Sequence, residues 1–215
     1  MMIFYRVSRI VFEIAMRILF HLHIDGKKNI PDRPYIIVCN HSSLVDPPLV
    51  GMAFKKHDVS FLTKEELFTA PILGLWTSNV GCIAVRRGAA SSKGLKEALK
   101  RIANGGVVGI FPEGTRSHDG SLQEAKKGIG FLIRKANVPV VPVYIKNSEV
   151  ALPNTGGVKR GTHIYLKIGR SVMPDKFFIN KRSGKVNNEE IANMVMREIS
   201  ALKEEMEASS FSPKG

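Results

Sequence analysis

The stretch "PYIIVCNHSSLVDPP", residues 34–48, decides how the chain folds. An apolar run of strand length stops at Asn40 and gives way to a histidine, two serines and an aspartate, then to two prolines. Such a run, bounded by turn formers, reads as a short buried strand. Proline is tolerated in the first turn of a helix, so the segment from Pro47 to Phe54 begins one, and His41 and Asp46 stand at a strand-to-helix junction. Serine and aspartate side chains cap free backbone N–H groups at such places, which accounts for Ser42, Ser43 and Asp46. Capping gives no reason for His41, whose imidazole can accept a proton near neutral pH.

The pattern of apolar run followed by polar exit repeats downstream. "VSFLTK" (59–64), "GCIAVRR" (81–87), the start of "VVGIFPEGTRS" (107–117), "VPVVPVYI" (138–145) and "HIYLKIG" (163–169) read as strands. Between them lie a helical segment broken around Pro71 (65–79), the helix "SSKGLKEALKRIANGG" (91–106) with a serine at its start and Gly105 at its stop, and "AKKGIGFLIRKAN" (125–137). In residues 188–207, Ile191, Met194, Val195, Ile199, Leu202 and Met206 recur at helical spacing and predict a terminal amphipathic helix. Strands alternating with helices predict an α/β fold, a mixed, largely parallel sheet flanked by helices. Its ligand-binding residues gather beyond the carboxyl ends of the strands.

With 215 residues the chain suits one domain with an N-terminal appendage: helix over 1–25, domain over 26–208 with a joint near Gly26, and a disordered tail over 209–215. The excess of 32 Lys+Arg over 19 Asp+Glu, a formal +13, attracts phosphates, anionic lipid surfaces or nucleic acid. No nucleic-acid motif and no interleaved aromatics accompany that charge, so nucleic acid is not the expected partner. The two cysteines, Cys39 and Cys82, sit in apolar runs without metal-ligand neighbours; neither a metal site nor a disulfide framework is expected, and a reducing cytoplasmic setting fits.

The first helix is apolar except for Arg6, Arg9, Glu13 and Arg17, which fall within an arc of roughly 80°. Those charges break the uncharged run of about 18 residues that a spanning helix needs. No small-residue cleavage site follows, so a signal peptide is not expected either. The wide apolar face, including Ile3, Phe4, Val7, Ile10, Val11, Ile14 and Leu19, either packs on the domain or lies in a membrane interface with the arginines among headgroups. The arginine bias favours an anionic membrane surface, and with it a peripheral or monotopic place on the cytoplasmic face of the membrane.

Four clusters, "NHSSLVD", "TKEEL", "VRR" and "PEGTRS", each follow a strand and each supply polar or cationic groups. In this order, over residues 30–143, they resemble the motifs of the glycerolipid acyltransferases, specifically the PlsC-type 1-acylglycerol-3-phosphate acyltransferases. His41 and Asp46 match the histidine and aspartate of the first motif, Lys64 in "TKEEL" resembles the family's lysine before its glutamate-leucine pair, and Arg87 the arginine ending the second motif. "FPEGTRS" agrees with the third motif through Glu113, Gly114, Thr115 and Arg116, and "VPVVPV" resembles the fourth. Two positions depart from common patterns in the family. Arg86 stands where an acidic residue is common, and Ser42 follows the histidine where glycerol-3-phosphate acyltransferases more often have arginine.

The resemblance implies transfer of a fatty acyl group from acyl-CoA or acyl-acyl carrier protein (acyl-ACP) to the 2-hydroxyl of lysophosphatidic acid, with no cofactor beyond that co-substrate. Acyl transfer from a thioester to an alcohol needs a base for the hydroxyl proton, and His41 is the candidate, its tautomer fixed by Asp46. Five residues of regular helix turn by about 500°, so the two can meet only through a non-helical turn. Arg116 offers a planar fork for a phosphate, and Lys64 and Arg87 add charge. Glu113 is expected to orient Arg116 or a loop amide, with contact to the glycerol moiety as the alternative, Gly114 to permit the turn, and Thr115 to bind or orient the substrate. Other acceptors, glycerol-3-phosphate or another lysolipid, share this chemistry, and a thioesterase or a non-enzymatic binder of anionic membranes or nucleic acid remains as a rival.

Overall fold

β2 (Tyr35–Cys39) is buried at every position because it is covered on all sides. Parallel partners flank it, β5 (Val107–Ile110) on one edge and β6 (Val140–Lys146) on the other. Its side chains alternate between two apolar layers. Tyr35, Ile37 and Cys39 face a cluster that includes α1 (Met2–Leu19) and α2 (Asp46–Ala53). Ile36 and Val38 face the opposite cluster, with α4 (Ser92–Ala103), α5 (Lys127–Ala136) and α7 (Asn188–Ser210). The computed structural model describes residues 2–69, 74, 77–85, 92–175 and 186–210. Arg86, Arg87, Ser91, the break around Pro71 and residues 211–215 lie outside the described residues.

The described strands form one sheet in the order β1-β7-β6-β2-β5-β3-β4, where β1 is His21–Asp25, β3 Val59–Lys64, β4 Ile83–Val85 and β7 His163–Ile168. Only β6 and β7 run antiparallel; every other neighbouring pair is parallel. The expected mixed, largely parallel sheet is present. Short helices α3 (Glu66–Thr69) and α6 (Ser148–Ala151) follow β3 and β6. Gly109 of β5 lies opposite Phe61 of β3, and the missing Cβ leaves room for the Phe61 ring, which a methyl there would overlap.

Two expectations about element bounds are corrected. The N-terminal helix does not extend to residue 25: it stops at Leu19, and His21–Asp25 is an edge strand paired in parallel with β7. Its alternation of His21, His23 and Asp25 outward with Leu22 and Ile24 toward the core has the period of a strand, not of a helix. Gly26, at φ 81°, turns the chain out of β1 close against the Ile168 carbonyl. The terminal helix continues through residues 209 and 210, which were expected to begin the tail.

Helix α1 carries three stripes. Tyr5 and Met16 are buried, with Phe12 and Leu19 packed beside them; Arg6, Arg9, Glu13 and Arg17 line a second stripe. Along the third, Phe4, Val7, Ile10, Val11, Ile14 and Ile18 are 40–77% exposed. The helix therefore packs on the domain by one seam and also presents an apolar stripe. Among the described residues no helix is long and apolar enough to cross a membrane.

Candidate active site

The carboxyl ends of β2 and β5, adjacent strands in the middle of the sheet, carry the groups that converge. Leaving β2, Asn40 braces the neighbouring strand: its Oδ1 accepts from the N–H of Ile145 at 2.8 Å and its Nδ2 donates to the Ile145 carbonyl at 2.9 Å. The chain then makes the non-helical turn that the His41–Asp46 spacing requires, and α2 begins at Asp46 with Pro47 and Pro48 in its first turn.

Asp46 is fully buried, and its Oδ2 accepts three hydrogen bonds, each 2.8 Å long: from His41 Nδ1 and from the backbone N–H groups of Ser42 and Ser43. The other oxygen, Oδ1, is buried without a hydrogen-bond partner among the described residues. A proton on His41 Nδ1 leaves Nε2 with the lone pair, the form a general base needs. The His41 side chain keeps 17% of its surface exposed, and its ring lies over Phe111 with centroids 4.1 Å apart. Phe111 in turn stacks on Phe61 at 5.7 Å, so the imidazole rests on a column of rings set by the gap at Gly109.

Capping by the serine side chains does not occur. The Ser42 hydroxyl is 3.0 Å from that of Ser148 and donates to Glu149 Oε2 at 3.1 Å, while Ser43 donates to the Leu152 carbonyl. Asp46 has taken their amides instead, and the hydroxyls tie the turn to α6. Cys39, one residue before Asn40, is no nucleophile: burial first, then the negative charges of Asp46 and Glu113, push its thiol well above the ordinary range.

The loop after β5 clasps His41 through its backbone. Glu113 Oε1 accepts from the His41 N–H at 3.4 Å, and the Ser117 N–H donates to the His41 carbonyl at 2.8 Å. Of the roles expected for Glu113 the contact with an amide is present, and no ion pair with Arg116 forms among the described residues. Burial pushes the Glu113 carboxyl up to about 7, with Asp46 adding to the rise and hydrogen bonds from the His41 and Gln123 amides opposing it. Gly114 turns the loop at φ 69°, a left-handed conformation that favours glycine. Thr115 is exposed and Arg116 half-buried beside it. Lys64, half-buried, ends β3, the strand next to β5, so it shares this end of the sheet with Arg116.

The site thus joins His41, Asp46 and Glu113 directly and places Thr115, Arg116 and Lys64 at the same sheet end. Reasoning from sequence missed Asn40, Phe111 as the base of the ring column, and Ser148 with Glu149. Asn40 had a signal, an amide directly at the end of an apolar run. The others lie far along the chain from the groups they touch.

A profile for the family described as "Acyltransferase" matches residues 21–146, which takes in every one of these groups except Ser148 and Glu149. A chloroplastic 1-acyl-sn-glycerol-3-phosphate acyltransferase of Arabidopsis thaliana is 31% identical over 154 residues, 68% of this chain and 42% of its own length. A 1-acyl-sn-glycerol-3-phosphate acyltransferase of Bacillus subtilis is 29% identical over 134 residues, 60% of this chain and 66% of its own. Against the chloroplastic relatives from Brassica napus and Arabidopsis thaliana, this chain spans less than half of their length, 43% and 42%. The crystal structure of the 1-acyl-sn-glycerophosphate acyltransferase PlsC from Thermotoga maritima superposes with a TM-score of 0.78 at 27% identity, covering 98% of this chain and 81% of that one.

Proposed function

The chain belongs to the acyltransferase family, and we propose that it moves a fatty acyl group from acyl-CoA or acyl-ACP to the 2-hydroxyl of 1-acylglycerol-3-phosphate, forming phosphatidic acid for phospholipid synthesis. The observation that carries this reading is the His41–Asp46 pair, 2.8 Å apart, with the half-buried Arg116 on the loop whose Ser117 N–H donates to the His41 carbonyl. His41 Nε2 takes the hydroxyl proton as the alcohol oxygen attacks the thioester carbonyl, and Asp46 stabilises the imidazolium that forms. Collapse of the tetrahedral intermediate breaks the carbon–sulfur bond, and the proton passes from His41 to the departing thiolate. Arg116, Lys64 and Arg87 hold the acceptor's phosphate, with Thr115 at its edge.

The apolar stripe on α1 supports a second element of the reading. Six large apolar side chains, Phe4, Val7, Ile10, Val11, Ile14 and Ile18, lie exposed on a helix whose neighbouring stripe holds three arginines. That pattern suits the interface of an anionic membrane, where the lipid acceptor resides and the chain would sit at the cytoplasmic face. Replacing Val11 and Ile18 by Asp is expected to abolish co-sedimentation with anionic vesicles while leaving the fold intact.

The primary test is formation of phosphatidic acid from lysophosphatidic acid, offered both donors, by wild type and His41→Ala. Loss of about 100- to 10,000-fold in a folded mutant is expected for removal of a general base. Free fatty acid released without dependence on acceptor would instead point to a thioesterase. Preference for a phosphate-free acceptor would remove the role given to Arg116.

A further inference from the structure

On the edge of the sheet farthest from β4, three histidines share one face. His21 and His23 are two apart on β1 and so point the same way, and His163 on β7 is the register partner of His21. All three are exposed. His23 Nε2 and His163 Nδ1 lie 3.0 Å apart, and the His21 and His163 rings are 4.6 Å apart. Tyr165, the register partner of His23, stacks on that ring at 4.6 Å and 14°, and Asn147 Nδ2 donates to the His163 carbonyl at 2.9 Å.

We propose that His21, His23 and His163 form a binding site for a divalent first-row transition metal that prefers imidazole, with Zn2+ as its type ion. Two nitrogens on a tetrahedral zinc with bonds of about 2.0–2.1 Å stand about 3.3 Å apart. The His23–His163 separation is within a few tenths of an ångström of that value, so the pair closes on a metal by a small opening of the rings. As the side chains stand, no group of three His, Cys, Asp or Glu residues among the described residues could hold a metal ion, so the site needs a side chain to move. His21 supplies the third nitrogen by turning about its side-chain bonds, which its exposure on an edge strand permits, and water completes the shell. The proton now joining the two rings moves to the remote nitrogen of the ring that donates it, or to solvent if both remote nitrogens already carry one, leaving both lone pairs for the metal.

The bound metal ties β1 to β7 through side chains. Because β1 follows α1 directly, the tie braces the edge from which the N-terminal helix departs. This inference is independent of the acyltransferase reading, and no active-site residue takes part.

The test uses the full chain. Zn2+ is titrated in competition with a chromophoric chelator, and Co2+ serves as a spectroscopic probe of tetrahedral nitrogen coordination. Saturable binding of a single equivalent, a tetrahedral Co2+ absorption band and a rise in Tm with Zn2+ are expected. Losing a ligand costs at least what losing a group that orients one does, so His23→Gln and His163→Gln should each weaken binding by about 10- to 100-fold or more. His118→Gln, an exposed histidine elsewhere, should leave it unchanged. Absence of saturable binding to a folded wild type, or affinity that survives both His23→Gln and His163→Gln, overturns the proposal.

Discussion

Asp46→Asn separates two roles that a buried aspartate can play beside a histidine. Three donors meet at Oδ2, two of them backbone N–H groups that cannot turn away. The amide oxygen of asparagine must take that place, since the opposite orientation would set an NH2 against the amides of Ser42 and Ser43. The oxygen then still accepts from His41 Nδ1, so the tautomer with a free Nε2 survives. What is lost is charge: a hydrogen bond to a charged group is worth about 1.5–3 kcal/mol against about 1 for a neutral one, which leaves the imidazolium about 0.5–2 kcal/mol less stabilised. That converts to a fall in kcat of about 2- to 30-fold. The NH2 lands where Oδ1 is buried without a partner, at a cost of about 1–3 kcal/mol. A melt followed by circular dichroism should show Tm lower by about 2–12 °C for a chain of this size. Asp46→Ala, which orphans all three donors, should fall to the level of His41→Ala. Phosphatidic acid formation at saturating donor and acceptor is the assay. An Asp46→Asn protein that is folded yet as inactive as His41→Ala would refute the orientation argument, because it would mean that the histidine had changed tautomer.

Glu113→Gln addresses pH. Between the ordinary 4.5 and about 7 the native protein holds a proton that the unfolded chain has lost, so wild-type stability falls as pH rises through that window. The deficit is complete above about 7 and amounts to at most about 3 kcal/mol; chemical denaturation at either end of the window should show the variant without this fall. Gly109→Ala forces a methyl into the Phe61 ring, at about 1–3 kcal/mol, and should lower both Tm and kcat because Phe61 supports Phe111 and through it His41. Arg116→Ala should reduce kcat/KM for the phosphate-bearing acceptor by about 10- to 100-fold, the loss of a charged hydrogen bond, and Arg116→Lys should recover only part of it because the fork is gone. Initial rates over a range of acceptor concentrations decide between these outcomes.

The strands from β2 onward were legible because each is a short apolar run closed by turn formers, and a run of that kind has few other ways to be buried. β1 was not, because "HLHID" follows an amphipathic helix and its period of two was absorbed into the helical reading. The meeting of His41 and Asp46 could be anticipated from spacing, since no regular helix brings residues five apart together. The capture of the Ser42 and Ser43 amides by the same oxygen could not: it depends on where backbone N–H groups point in an irregular turn. The serines were expected to cap, yet α6 lies close enough to claim their hydroxyls, and that proximity is set by the sheet order. On α1, charge spacing defined one stripe but could not divide the apolar remainder into a packed seam and an exposed one, because tertiary contacts with α2, β1 and Val59 of β3 make that division.

The same tertiary contacts explain why "NHSSLVD" and "PEGTRS" belong to one site although some seventy residues part them. Adjacent parallel strands bring their exits together, and the second loop then holds the first by its backbone, with Glu113 on the His41 N–H and Ser117 on its carbonyl. Glu113 is a costly way to do this, since burial raises its carboxyl to about 7. A carboxyl at that position does what an apolar residue could not: it satisfies a buried amide at the point where β2 must end so that the imidazole stands clear of the sheet. The loop that presents Arg116 therefore also fixes His41. A displacement of this loop should move base and cation together, and a substitution in it should alter kcat as well as acceptor binding.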